Sequence, residues 1–509
     1  MRVRPTLLLG LLLAVGACAP DGRAPETHDD APPPELFPEL DREIEGWVEA
    51  GDVVGAELLV LRDGETLHHR AYGWKDREAG VPMRTDGIHT IASMTKPVTA
   101  LAVLMLVEEG SLALDQPVAE LLPGFTGDPR TTVADLLSHT SGDAGDHGDA
   151  GSNVYDFPTL DAWVADWAGS EHTGEHGRFQ YSNFNYAALA WIAEQASGVP
   201  FEDFVTLRIL APLGMNDSSV RFSPDSSWAD RVPTAYTWSD DTDRFEPFWT
   251  PDEPQRWAFF PGAFGLWSTT RDYAKFLTMW MDLGEAGGER LISPETARAA
   301  LTPKAWLDDL PLIGYAWFLD GGDPDGGLPK AFYHTGGWGT LGMALPGDRG
   351  VVVFLSQSMP EPFRAQEWVL RNRIQMSGLF DDPGPEMRRP GETDVEPIPQ
   401  QAERLAEYEG VYRAPLPWAE GATLQVRVSV EDGVLQLEQG RQASTLAERV
   451  HLVPVGDDRF LRGRYADGRL VGVDPEGPIR FQREGDRVTA IETGVLGPGE
   501  PVVRVEVER

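Results

Sequence analysis

The sequence predicts an α+β chain. One antiparallel sheet is flanked by helices and interrupted by an inserted helical subdomain, and a C-terminal all-β sandwich or small barrel follows. Three observations carry this. Strand-like segments stand at both ends of residues 35–380, with a helical stretch between them. Residues 381–402 are rich in Pro, Gly and acidic side chains and read as a linker. From Glu403 onward, short alternating segments recur between turn residues.

The chain opens with Arg2 and Arg4, an apolar run at 7–15, small residues and Cys18. That pattern is a signal peptide, too short to span a bilayer as a helix. Val15-Gly16-Ala17-Cys18 resembles the lipobox of bacterial lipoproteins, in which the cysteine is lipidated and becomes residue one. Residues 1–18 are therefore expected to be a lipoprotein signal peptide. Cys18 is expected to anchor an exported protein, periplasmic or at a bacterial cell surface. It is the chain's one cysteine, so an internal disulfide is excluded. Residues 19–34, polar and proline-rich, read as a flexible tether. A formal net charge of -38 at pH 7 argues against nucleic acid or a bare anionic membrane as partner. The lipid is then the expected membrane contact.

Leu36, Leu40, Ile44 and Val48 recur at helical spacing. A hairpin follows: 55–61 is apolar, Asp63-Gly64 is a turn signal, and 66–73 returns. Ser93 opens an apolar helical run that continues from Pro97 to Glu109, and a proline suits only a first helical turn. From there to about residue 285 the pattern is mostly helical, with the clearer helices at 186–197, 201–209 and 271–283. Residues 141–152, rich in Gly, Asp and Ser, read as a surface loop. Strands are predicted at 331–334, 340–345 and 350–356, then a helix at 364–375. Beyond the linker, eight short segments lie between Gly410 and Val507, with Glu431-Asp432-Gly433 and Ala466-Asp467-Gly468 among the turns.

Ser93-Met94-Thr95-Lys96 reads S-x-x-K. At a helix start this spacing puts a hydroxyl and an amine on one face, about one turn apart. An amine there can take the proton of a hydroxyl that is otherwise a poor nucleophile. The N-terminal amides lie under any developing negative charge. The bland alternative is a capping serine and a solvated lysine. Lysines stand only at 75, 96, 275, 304 and 330 among many arginines, which weighs against filler.

Further segments join it. Tyr181-Ser182-Asn183 comes just before a helix, residues 260–269 form a glycine-bearing turn, and His334-Thr335-Gly336-Gly337 ends a strand. Asp135-Leu136-Leu137-Ser138-His139-Thr140-Ser141-Gly142 lies between the first two motifs. In this order they resemble the serine β-lactamase and penicillin-binding-protein superfamily over residues 35–380. The likeness is greatest to its class C β-lactamase-related esterases and D-amino-acid peptidases.

The resemblance implies a serine hydrolase acting on a small ester, amide or peptide, without metal or cofactor. It makes Ser93 the acyl-accepting nucleophile, Lys96 its proton partner and Tyr181 the general base. A phenol titrates at about 10, so Tyr181 needs a nearby cation, the part given to Lys96. Asn183, His334, Thr335, Gly336 and Gly337 would bind substrate, with the N–H groups of Ser93 and Gly337 as oxyanion hole. At His334 the sequence departs from the lysine usual in the family's β-lactamases. Histidine is a weaker anion site at pH 7, which favours an esterase over a β-lactamase.

Rival readings are a D-amino-acid peptidase or penicillin-binding carboxypeptidase on cell-wall peptides, and a slow-turnover acylated sensor. His139 reads as a satisfied structural histidine, and His172 and His176 as surface residues without a ligand cluster. The aromatic stretch 238–260 either lines a cleft or covers the core. The C-terminal domain resembles the lipocalin-like β domain appended to such hydrolases.

Overall fold

The computed structural model describes residues 36–143, 154–359, 370–371 and 402–505, with short interruptions. The signal segment, Cys18, the tether, all but the last residue of the linker, most of the 364–375 helix and the greater part of the 141–152 loop lie outside the described residues.

Helix α1 (Leu36–Ala50) precedes the hairpin β1 (Gly55–Arg62) and β2 (Glu65–Asp76). Short strands β3 (Val81–Pro82) and β4 (His89–Thr90) lead to helix α2 (Lys96–Glu108). The inserted region holds α3 (Val118–Leu121), α4 (Val133–Leu137), α5 (Leu160–Ala168), α6 (Asn183–Ser197) and α7 (Phe201–Val205). Next come the hairpin β5 (Ala235–Ser239) and β6 (Arg244–Trp249), then β7 (Trp267–Ser268) and α8 (Thr270–Met281). A two-residue hairpin, β8 (Glu285–Ala286) and β9 (Glu289–Arg290), precedes α9 (Pro294–Ala300). The chain then returns to the sheet with β10 (Ala305–Leu307), β11 (Leu310–Ile313), β12 (Phe318–Asp320), β13 (Ala331–Gly336), β14 (Thr340–Leu345) and β15 (Gly350–Ser356).

The nine-stranded sheet runs β10-β11-β12-β13-β14-β15-β1-β2-β3. Its two ends of chain meet where β1 pairs antiparallel with β15, from Ala56↔Ser356 to Arg62↔Gly350. The expected sheet built from both ends is therefore present. Alternation along each strand divides the core. Ala56, Leu58, Val60, Leu341, Met343, Val352 and Phe354 pack toward Leu40 and Ile44 of α1. Leu59, Phe332, Ala344, Val351, Val353 and Leu355 face the other way, toward α2 and α8. Helix α2 is buried on all sides from Lys96 to Leu106, so it is a central core helix and not an amphipathic surface one.

Three expectations need correction. The region before residue 285 is not simply helical, because it contains the β5–β6 hairpin and β7, and short β16 (Ser358–Met359) pairs parallel with β5. The helix expected at 186 begins at Asn183, because Ser182 Oγ caps it by accepting from the N–H groups of Phe184 and Asn185. Ser93 is not the first residue of α2. It lies in a 3₁₀ turn, Ala92–Thr95, and Pro97 occupies the first turn of the helix behind it. In the aromatic stretch, Phe245, Trp249, Phe259 and Phe260 are buried, as the core-covering alternative expects, while Trp238, Phe248 and Trp257 are half-buried.

The C-terminal domain is a closed barrel, which decides between sandwich and barrel. After α10 (Ala402–Ala406) come β17 (Gly410–Pro415), β18 (Thr423–Glu431), β19 (Val434–Arg441) and β20 (Glu448–Gly456). They continue into β21 (Arg459–Ala466), β22 (Arg469–Glu484), β23 (Arg487–Glu492) and β24 (Val502–Val505). Closure is the β17–β24 pairing, Val411↔Val505 to Arg413↔Val503. Eight strands enclose a space just wide enough for side chains. Tyr412, Val426, Leu437, Phe460, Ile479 and Ile491 are buried in its core. Asp458 accepts from Tyr408 Oη at 2.8 Å and from Arg483 Nε at 2.6 Å, tying the segment after α10 to the barrel.

Candidate active site

Between Ile91 and Leu106 every residue is buried except Ser93, which is partly open to solvent. Ala92, just before it, is left-handed at φ 48°. For a residue with a Cβ this costs about 1–3 kcal/mol and persists only where the surroundings impose it. Here they do. Ile91 N–H donates to Leu266 O at 2.9 Å, and Ile91 O accepts from Thr340 Oγ1 at 3.2 Å. Tyr273 Oη donates to Met94 O at 2.9 Å, and Leu266 N–H to Thr95 Oγ1 at 3.2 Å. Strand β13 lies directly against the turn because Gly336 lacks a side chain. A Cβ there would fall 2.4 Å from Ile91 O and 2.3 Å from Thr340 Oγ1.

Lys96 is fully buried beneath the serine. Its Nζ donates to Ser93 Oγ at 3.0 Å, to Asn183 Oδ1 at 2.6 Å and to Ala263 O at 3.0 Å. The same nitrogen lies 4.7 Å from the centroid of the Tyr181 ring and 5.9 Å from that of Tyr186. Segments 87 and 167 residues beyond Lys96 thus meet the S-x-x-K turn on one ammonium. Ser93, Tyr181, Asn183 and Thr335 are partly exposed and Gly337 is exposed, while Lys96, Ser182, His334 and Gly336 behind them are buried. The partly open residues are the floor that a substrate would meet.

Tyr181 and Asn183 flank the cap Ser182, and the 139–143 segment holds Tyr181, Ser182 and Asn185. His139 Nδ1 accepts the Ser182 N–H at 3.0 Å, and its ring stacks on Tyr181 at 4.5 Å. Asp143, also buried, accepts from Ser182 Oγ, and Ser141 Oγ donates to Asn185 Oδ1 at 2.9 Å. His139 is left-handed at φ 56°. Burial, reinforced by the charge of Lys96, holds its imidazole well below the usual histidine range. His139 is buried and braces the Tyr181–Ser182 turn.

His334 is 1% exposed and donates from Nδ1 to Thr335 O at 2.6 Å. Burial, followed by the Lys96 charge, pushes its pKa down to about 3, so the ring is neutral at pH 7. His176 pairs with Asp135 at 3.3 Å and His172 lies 3.6 Å from Asp143. The sequence reading did not single out the Ala263 carbonyl, because a backbone acceptor carries no residue signature.

The description Beta-lactamase matches residues 40–375 of this chain. The chain belongs to the beta-lactamase family. Among curated members, Protein Rv1367c of Mycobacterium tuberculosis is 32% identical over 286 residues, 50% of this chain and 69% of that one. Esterase EstB of Burkholderia gladioli is 40% identical over 184 residues, covering 32% of this chain and 46% of EstB. Penicillin-binding protein 4* of Bacillus subtilis is 26% identical over 472 residues, covering 86% of this chain and 94% of that protein. Among solved structures, the octameric penicillin-binding protein homologue from Pyrococcus abyssi gives a TM-score of 0.57 at 24% identity over 89% of this chain and 98% of that one. D-amino acid amidase from Ochrobactrum anthropi gives 0.51 at 22% identity over 67% and 98%. These two likenesses show a shared beta-lactamase-type fold.

Proposed function

We propose that this family member is a serine hydrolase that opens an ester or amide through an acyl-Ser93 intermediate. The observation that carries the reading is the bonding of buried Lys96 Nζ to Ser93 Oγ, Asn183 Oδ1 and Ala263 O beneath a partly open serine. The Lys96–Tyr181 pair takes the Ser93 hydroxyl proton as Oγ bonds to the substrate carbonyl carbon. The oxyanion meets the N–H groups of Ser93 and Gly337. The proton then passes to the leaving alcohol or amine as its bond to carbon breaks. Water, deprotonated by the same pair, releases the acid and restores Ser93. Asn183 would hold a substrate polar group.

The neutral state of His334 supports an esterase over a β-lactamase, since a charge-assisted hydrogen bond to a β-lactam carboxylate is about twice as strong as a neutral one. The EstB likeness points the same way. The match to penicillin-binding protein 4* extends beyond the family domain and keeps cell-wall peptides as the second reading. One panel separates them: kcat/KM on p-nitrophenyl esters, D-amino-acid amides and nitrocefin, in wild type and His334→Lys. The esterase reading expects neutral esters first, nitrocefin last, and a shift toward nitrocefin in the variant. Equal ester-to-nitrocefin ratios in the two forms would remove His334 from selectivity. Preference for the amides would favour the peptidase. Export on a lipid at Cys18 is part of the proposal, and loss of fatty-acid labelling in Cys18→Ala tests it.

A further inference from the structure

Glu57 stands where β1 directs a side chain into the core; Leu59, two residues on, points the same way into the cluster around α2 and α8. Yet Glu57 is a fully buried carboxylate. Its Oε1 accepts from the Gly87 N–H at 2.8 Å and from His89 Nε2 at 3.1 Å. Its Oε2 accepts from Thr270 Oγ1 at 3.4 Å and lies 3.8 Å from His69 Nε2. His69 Nε2 also meets Thr270 Oγ1 at 3.1 Å, and its Nδ1 accepts from Arg271 Nη2 at 3.1 Å. Burial pushes the Glu57 carboxyl up, but the neighbouring imidazoles of His69 and His89 outweigh it and hold the group below its ordinary value.

A buried carboxylate is costly even when bonded, and a well-packed apolar side chain would serve a core better. What the carboxylate holds is informative. Gly87 and His89 belong to the approach that runs through β4 into Ile91, the left-handed Ala92 and Ser93. Gly87 is shaped for the contact, since a Cβ there would lie 2.4 Å from Glu57 Oε1 and 2.7 Å from His89 Nε2. Thr270 opens α8, whose Tyr273 braces Met94 on the far side of the nucleophile turn. One carboxylate therefore joins the central sheet to both supports of that turn. Gln357, just past β15, adds a neutral bond to the approach, from its Nε2 to Thr90 O at 3.2 Å.

We infer that Glu57 is a positioning residue for Ser93: it fixes the 87–90 approach and thereby sets the contact between Ser93 Oγ and Lys96 Nζ. The kinetic side of this rests on the reading of Ser93 as nucleophile; the geometric side does not. The experiment uses Glu57→Leu, Glu57→Gln and Gly87→Ala in the full chain, each checked for folding by thermal melting and near-UV circular dichroism. Wild type and Ser93→Ala set the scale of labelling by a fluorophosphonate.

Folded Glu57→Leu should label up to about a hundredfold more slowly, with the probe's binding constant changed by about twofold or less. Its crystal structure should show Ser93 Oγ moved out of reach of Lys96 Nζ. Glu57→Gln should recover part of the rate, because an amide oxygen in the Oε1 place still accepts from the Gly87 N–H and His89 Nε2, while its NH₂ takes the Oε2 place and requires Thr270 Oγ1 to become the acceptor. If Glu57→Leu does not fold, Gly87→Ala makes the same test by displacing the approach with the carboxylate intact. A folded variant that keeps the 3.0 Å contact and labels at the wild-type rate, losing only stability, would overturn the inference. Should wild type itself not label, the nucleophile reading fails and the crystallographic contact alone decides the positioning.

Discussion

The two turns that meet on Lys96 are held in place by different means. The Ser93 turn is gripped from several separate elements: by Leu266 O on the Ile91 N–H, by the Tyr273 and Thr340 hydroxyls on the carbonyls of Met94 and Ile91, and by the close approach of Gly336. The Tyr181 turn is gripped by side chains from one distant segment, His139, Ser141 and Asp143. A grip spread over several elements keeps its remaining contacts when one is lost. A grip through three buried polar side chains fails when any one of them changes, because each leaves a partner unsatisfied. The Tyr181 turn is thus expected to be the fragile half of the site, and the Ser93 turn the more broadly braced half, sensitive where one group serves several contacts, as at Glu57 and Gly336.

The largest effect should come from the ammonium that joins the two halves. Lys96→Ala and Tyr181→Phe should each slow acylation roughly a hundred- to ten-thousandfold, the scale of a lost general base. Their double variant should lose far less than the product, since the two act as one unit. Stopped-flow labelling of the three variants checks this, and additive log-losses would put them in separate steps. Next comes a sensitive point of the more broadly braced half. Gly336→Ala places a Cβ against Ile91 O and Thr340 Oγ1, an overpacking that costs about 1–3 kcal/mol. It should also slow labelling of the folded protein about a hundredfold by moving the strand. Urea denaturation alongside labelling reads both, and an unaffected rate would show that the strand does not set the turn.

The fragile half is probed at His139. His139→Ala strands the buried Ser182 N–H and should lower stability by about 1–3 kcal/mol while slowing acylation. His139→Asn should lose less, because asparagine accepts the left-handed backbone and brings an acceptor. Equal losses in the two variants would locate the role in the ring stack with Tyr181 and not in the hydrogen bond.

The smallest effect on rate concerns His334. Its folded pKa of about 3 lies below the ordinary 6.5, so below pH 6.5 the unfolded chain binds a proton that the native chain refuses. The stabilising contribution is complete above that pH and is lost as pH falls toward 3. Between pH 7 and pH 5 it amounts to about 2 kcal/mol of lost stability, which His334→Gln should not show. Unfolding curves of both forms at the two pH values measure the difference, and identical pH dependence would mean that the ring is not held neutral.

The same contrast explains what the sequence made legible. The β1–β2 hairpin was readable because Asp63 and Gly64 both need positive φ, which those residue types allow. The Ser93, Tyr181 and His334 motifs were readable because spacing and order carry them. The β5–β6 hairpin was not, since Pro247 interrupts its second strand pattern and an acidic run stands in place of a glycine turn. Strands β10 to β12 are three or four residues long and were not recognised. The Ala263 carbonyl, the Gly336 close approach and the Glu57 clamp depend on contacts between segments far apart in the chain, which no local pattern encodes.

The central claim is that Ser93 carries the acyl group. Incubating wild type and Ser93→Ala with a fluorophosphonate or an activated ester, then reading intact mass and the modified peptide over time, tests it most directly. Ser93 makes no side-chain cap, so the alanine chain should keep its fold. The account predicts one adduct on the peptide containing Ser93, none in Ser93→Ala, and decay of the ester adduct with return of free enzyme. An adduct on another residue, or native turnover by Ser93→Ala, would contradict it.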